Sequence, residues 1–207
     1  VSGEFLIGFL LMFPLFMMAV VVHEVSHGWV ALYFGDQTAL QAGRLTLNPF
    51  KHIDPMGTVI LPLLLRLVHS PFVFGWAKPV PINPLNLRNP KRDMLWVGIA
   101  GPAANFLLAG LVALGLRCWG LTAPALVMAG AKYLILINLV LGTFNLVPIP
   151  PLDGSRVLTG MLPLPWARRM LGLERWGILL VVLLLASGFM NKILWPTVAF
   201  LYKALGF

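Results

Sequence analysis

Residues 20–30 read VVVHEVSHGWV, with two histidines four positions apart and a glutamate directly after the first. On a helix, positions i and i+4 share a face and lie about 6 Å apart along the axis, so His23 and His27 can reach one metal ion. Glu24 then projects near the ion's open position, where it can take a proton from a bound water. Zinc lowers the pKa of such a water toward roughly 7, which makes a zinc-bound nucleophile available at neutral pH. The flanking residues are almost purely apolar. Imidazole and carboxylate groups buried there cost several kcal/mol each unless something binds them. A chance match would bear that cost three times within five residues.

A catalytic zinc site needs a third protein ligand. The extended HExxHxxGxxH pattern fails, because Tyr33 and Phe34 stand where a third histidine would fall. Asp36 is near in sequence but sits just past the expected helix end, and reads as a loop carboxylate after Gly35. Asp153, in PPLDGSR, is the better candidate. It is the only acid between Asp93 and Glu174, and it closes an otherwise uncharged run. Its alternative reading is a helix N-cap ahead of SRVLTG.

These residues need elements to carry them, and composition says where those elements lie. The chain of 207 residues is 59% hydrophobic and only 11% charged, with a mean hydropathy of +0.88. Soluble domains carry roughly 25% charged residues, so the expected class is an all-α polytopic membrane protein. Runs free of Lys, Arg, Asp and Glu place about five spanning helices: 5–33 (broken only by Glu24), 94–116, 133–152, and a final hairpin of 176–191 and 193–202. The first run lacks a basic leader and a small-residue cleavage site, and is kept as a membrane helix. Residues 55–65 are apolar but only about half a bilayer long, and are expected to be re-entrant or on the surface. GRLTL (43–47) and the proline-rich 78–82 suggest short β-strands near the membrane surface, with Pro79 and Pro81 removing N–H groups from one edge. Pro148, Pro150 and Pro151 are expected to unwind the third span and free Asp153 to turn inward. One membrane-embedded domain, 1–207, is expected, with its core at about 5–158 and the C-terminal hairpin at about 176–206.

Topology tests the pairing of the two motifs. HEVSH lies in the C-terminal half of its helix, and LDG ends another. To meet at one ion, the two helices must run in the same direction. One full span, 94–116, lies between them, so 55–65 cannot also cross.

HEVSHGWVALYFGD, then GIAGPAANF, then FNLVPIPPLDGSR, in this order and on membrane helices, resembles the site-2 protease family of intramembrane zinc metalloproteases. The likeness covers roughly 5–158 and extends to AGRLTLNP and FGWAKPVPINP, most closely the compact prokaryotic branch without PDZ or CBS domains. It implies one zinc per chain held by His23, His27 and Asp153, with Glu24 as general base. The implied reaction is peptide-bond hydrolysis in or near transmembrane segments of a protein or peptide substrate. Asn105 and Asn145, lying between the ligand motifs, are implied to line the cleft or stabilise an oxyanion; helix–helix hydrogen bonding is their other reading. Asn138 and Gly101 read as packing residues.

The formal net charge is +8, but the basic residues fall between apolar runs and suit loops facing anionic lipid better than nucleic acid. Arg44, Lys51, Lys78, Arg88, Lys91, Arg92, Arg156, Arg168, Arg169, Arg175 and Lys203 are assigned to one side, and Arg117, Lys132 and Lys192 to the other. The positive-inside rule makes the first side, with the metal near it, cytoplasmic, in a multi-pass protein of the cell membrane. Cys118 is alone, so disulfides and cysteine-based zinc sites are not expected. His52, His69 and Trp76 read as interfacial. The competing class is a membrane metal transporter or an inactive scaffold. A transporter needs several sites along a path, whereas here the acids and histidines concentrate at one depth.

Overall fold

The computed structural model describes residues 3–68, 77–119 and 123–207; His69 and Trp76 lie outside them. The described residues are helical or irregular. Three helices are long and apolar enough to cross a bilayer: α1 (Gly3–Tyr33), α4 (Pro90–Trp119) and α5 (Ala125–Asn145). Short elements connect them: α2 (Thr38–Gln41), α3 (Leu61–Leu67), α6 (Asp153–Met161) and α7 (Leu164–Gly172). The chain ends in α8 (Gly177–Ala186) and α9 (Trp195–Ala204).

Helix α1 stops where glycine permits it to. Gly35 takes φ +110°, and the N–H of Asp36 reaches back to the carbonyl of Ala31 at 2.9 Å while that of Gly35 reaches Leu32 at 3.0 Å. This αL closure satisfies carbonyls that the helix end would leave bare. Helix α5 ends at Asn145, and Pro148, Pro150 and Pro151 keep the following loop out of the helix, as expected. The Pro150–Pro151 peptide bond is cis.

Cross-helix contacts give the directions. Asn105 of α4 touches Ala19 and His23 of α1, and Val97 of α4 touches His27. As α1 ascends, α4 descends, so the two are antiparallel. Asn105 also touches Asn138 of α5, and Gly130 lies beside Leu15. Helix α5 therefore runs parallel to α1, as the pairing of the two motifs requires. Helix α6 lies against the first half of α4, where absent β-carbons permit close approach: one added at Gly98 would stand 3.1 Å from the Asp153 carbonyl, and one at Gly160 2.7 Å from Leu95. The core between α4, α5 and α9 is Ala109, Ala113, Leu116, Ile135, Leu139, Leu194 and Val198.

Several expectations need correction. The third span begins at Ala125, because a single lysine, Lys132, does not interrupt a helix that is otherwise apolar. The expected final hairpin is instead a pair of ten-residue helices, α8 and α9, bent by 67° around Gly188 (φ +79°) and a π-helical turn. Gly177, at the start of α8, packs on Pro151, whereas the Leu205 carbonyl after α9 accepts a hydrogen bond from Arg117 at the far end of α4. Lys203 thus sits at the Arg117 end, opposite to its expected side.

The expected β-strands are also absent among the described residues. Around 43–47 the chain turns, and 77–82 is irregular, without a partner strand. Side chains and isolated carbonyls have taken the ladder's place. The Lys78 N–H donates to the His52 carbonyl at 2.9 Å and the Val80 N–H to Glu24 Oε2 at 2.8 Å. Pro79 and Pro81 have no N–H, so residues 78–81 offer none for pairing. Arg44, buried, donates to the Lys78 and Pro79 carbonyls at 2.7 and 3.3 Å. His52 is fully buried, correcting its interfacial reading, and its Nε2 bonds the Thr46 carbonyl at 2.9 Å.

Helix α6 depends on Gly154, whose added β-carbon would collide with the Leu146 and Val147 carbonyls of the backbone. Gly154→Ala should destabilise the protein by about 1–3 kcal/mol. Gly110→Ala and Gly115→Ala, where nothing lies within 4 Å, should be neutral or gain up to about 1 kcal/mol from helix propensity. Denaturation in detergent micelles measures both.

Candidate metal centre

His23 and His27 lie on the buried face of α1, and Asp153 is the first residue of α6. Their donor atoms form a nearly equilateral triangle: His23 Nε2 to His27 Nε2 3.0 Å, His23 Nε2 to Asp153 Oδ2 3.0 Å, and His27 Nε2 to Asp153 Oδ2 3.1 Å. Among the described residues this is the one cluster of three such groups that could hold a metal. Ligands bonded tetrahedrally at about 2.0–2.1 Å stand about 3.3 Å apart, so the triangle is close to one face of a zinc site.

The hydrogen bonds behind the triangle make the same point. His23 Nδ1 faces Asn105 Oδ1 at 2.6 Å, and His27 Nδ1 faces the Val97 carbonyl at 2.6 Å. Oxygen acceptors at both Nδ1 atoms place the ring protons there and leave both Nε2 lone pairs pointing inward. Two lone pairs and a carboxylate oxygen then face each other within 3.1 Å in a buried setting. One added proton would bridge one edge of the triangle and leave two repulsive. A cation at the centre satisfies all three, so these residues fit zinc.

The surroundings hold the set in place. Asp153 Oδ1, turned away from the histidines, faces Arg156 Nη1 at 3.4 Å. Gly101 of α4 lies flat against the imidazoles: a β-carbon there would fall on His27 Nε2 and within 2.6–2.7 Å of the His23 ring. Gly101 and Asn105 are one turn apart on α4, opposite the one-turn spacing of His23 and His27. Glu24, half-buried, is held through Oε2 by the Val80 N–H. Gly28 leaves room for Leu45 and Val80 over the same stretch of α1.

The other candidate residues divide. Asn105 touches His23, whereas Asn145 is half-buried and donates to the Leu141 carbonyl of its own helix at 3.0 Å. Asn138, read from sequence as a packing residue, is fully buried and bonds Asn105 at 2.7 Å. Its position two turns before Asn145 on an apolar helix was the available signal. Asp36 stands outside the centre as a loop anchor. It accepts from the Asn83 N–H at 2.7 Å, from Asn86 Nδ2 at 3.0 Å, and from the N–H and hydroxyl of Thr38.

Comparison with known proteins gives a consistent result. Residues 120–185, which include Asp153, match the model of peptidase family M50. YwhC of Bacillus subtilis (strain 168), provisionally named a zinc metalloprotease, is 37% identical over 187 residues, covering 87% of this chain and 82% of that one. Rip2 of Mycolicibacterium smegmatis, provisionally named likewise, is 34% identical over 185 residues, 89% of this chain and 70% of that one. Zinc metalloprotease MJ0392 of Methanocaldococcus jannaschii is 25% identical over 151 residues, 73% of this chain and 34% of that one. No solved structure matches.

Asp36 supplies a pH test that spares the metal. Burial pushes its carboxyl up, but the bonds from Thr38, Asn83 and Asn86 prevail and hold it below its ordinary 3.8. A lowered value stabilises the fold above 3.8, and that contribution disappears as pH falls through the lower folded-state value. Asp36→Asn should cost about 1–3 kcal/mol at pH 7, with zinc content unchanged. The gap to wild type should close in acid, as read by denaturation across a pH series.

Proposed function

This chain belongs to peptidase family M50 and is a zinc metalloprotease of the membrane, and from this we propose that it cleaves peptide bonds within or beside transmembrane segments of other membrane proteins. The observation that carries the reading is the donor triangle, set among apolar helices by residues 130 positions apart from His23 to Asp153. A soluble protease has no cause to bury such a centre in a hydrophobic bundle. A substrate helix satisfies its own backbone and must unwind before it can be cut.

In this reading His23, His27 and Asp153 hold the zinc, and Arg156 steadies the carboxylate from its outer oxygen. Zinc, when bound, supplies Lewis acidity that lowers the pKa of a water and polarises a carbonyl. Glu24 is the general base. Its Oε2 is held by the Val80 N–H, which leaves Oε1 to receive the proton and pass it to the leaving amine nitrogen. Asn145 donates one Nδ2 proton to the Leu141 carbonyl, and its second Nδ2 proton is the donor it would offer to a carbonyl or oxyanion in the cleft.

The layout proposed is multi-pass. Helices α8 and α9 make one broken crossing, because α8 starts beside Pro151 and α9 ends beside Arg117. The chain then crosses four times as a single domain. With Lys203 moved to the Arg117 end, the metal-proximal side still holds most of the cations and is cytoplasmic by the positive-inside rule.

Glu24→Gln should keep one zinc per chain and lower cleavage of a transmembrane peptide by about 10²–10⁴-fold. Asp153→Ala should lose the zinc. Purified Glu24→Gln protein that still turns over would remove Glu24 from its role, and full metal content in Asp153→Ala would remove the third ligand. The measurements are metal analysis and cleavage in detergent or liposomes.

A further inference from the structure

Asn105 meets the first histidine through an amide whose two ends are chemically opposite, so something must decide which end faces His23. The oxygen does, at 2.6 Å from Nδ1. Had the amide been turned over, an N–H would point at Nδ1. Nδ1 would then have to accept, and the ring proton would move to Nε2, into the metal position.

The deciding partners lie on two other helices. Asn105 Nδ2 donates both of its protons, one to the Ala19 carbonyl at 3.1 Å and one to Asn138 Oδ1 at 2.7 Å. Asn138 is oriented in turn by its own helix, since its Nδ2 donates to the Leu134 carbonyl at 2.8 Å. A backbone carbonyl cannot reverse its polarity. The order is thus dictated from Leu134 outward: the carbonyl requires the Asn138 nitrogen, the Asn138 oxygen requires the Asn105 nitrogen, and the Asn105 oxygen is left for His23. Asn105 and Asn138 are both fully buried, so no water competes for these positions. In an apolar bundle a reversed amide would oppose like atoms at each junction, which the low dielectric makes costly.

We propose that Asn138 is a positioning residue for the metal centre: acting through Asn105, it sets which nitrogen of His23 is presented to the ion. The proposal rests on the assignment of His23 as a zinc ligand. It gives α5 a role in the centre besides delivering the chain to Asp153.

The test uses the purified full chain in detergent, with zinc affinity measured against a chromophoric chelator and the visible spectrum recorded after cobalt substitution. Asn138→Leu keeps the heavy-atom count and branching and removes the acceptor. It should weaken zinc binding by about tenfold or more, as outer-shell changes at His ligands do, and should alter the cobalt bands. Asn138→Asp keeps an acceptor for Asn105 and should restore both within a few-fold. A folded Asn138→Leu protein with wild-type affinity and spectrum would overturn the proposal, as would loss of both in a folded Asn138→Asp protein. Should Asn138→Leu not fold, Asn138→Ala supplies the second arm: it removes the same acceptor with less bulk and should weaken zinc binding by a similar factor, and a folded Asn138→Ala protein with wild-type affinity and spectrum would overturn the idea. Wild-type protein that binds neither zinc nor cobalt would instead sink the metal-centre reading itself.

Discussion

Three lone-pair donors facing one another in an apolar bundle form an arrangement that only a cation makes favourable. Everything near His23, His27 and Asp153 can be understood as sustaining that confrontation. The Asn105 side chain and the Val97 carbonyl keep the ring protons on the outer nitrogens. Arg156 occupies the outer carboxylate oxygen. The fold holds these atoms together at a distance they would not choose unaided, so a cation bound among them would stabilise this region.

Helix α4 is the shared wall. Its Gly101 face meets the histidines, its Asn105 joins α1 to α5, and its Gly98 receives the first turn of α6. Small residues recur because the groups they admit are backbone or imidazole, neither of which can move aside. Packing without a hydrophobic driving force between lipid-embedded helices depends on such close approach.

Much of this was legible in the sequence, and the reasons differ by residue. His23 and His27 announce themselves because the 3.6-residue period places i and i+4 on one face, and Asp153 because an acid closing an uncharged span needs a reason to be there. The prolines from 148 to 151 foretold the break after α5. Other features were hidden because they depend on contacts that no local pattern encodes. The stretch 78–82 alternates like a strand, but the N–H groups of Lys78 and Val80 are taken by His52 and Glu24, residues far away in the chain. Asn138 looked like packing because its partner, Asn105, comes from another helix. The last helices misled by composition: charge-free runs show what can sit in lipid, but not that a glycine with positive φ and a π-helical turn bend them into one broken path.

The bare α-carbon of Gly101 has a mechanical meaning. Space bounded by a side chain can be enlarged by a change of rotamer, but space bounded by main chain cannot. The clearance over the imidazole pair is therefore set by the separation of α1 and α4 axes, a quantity that densely packed side chains hold nearly constant.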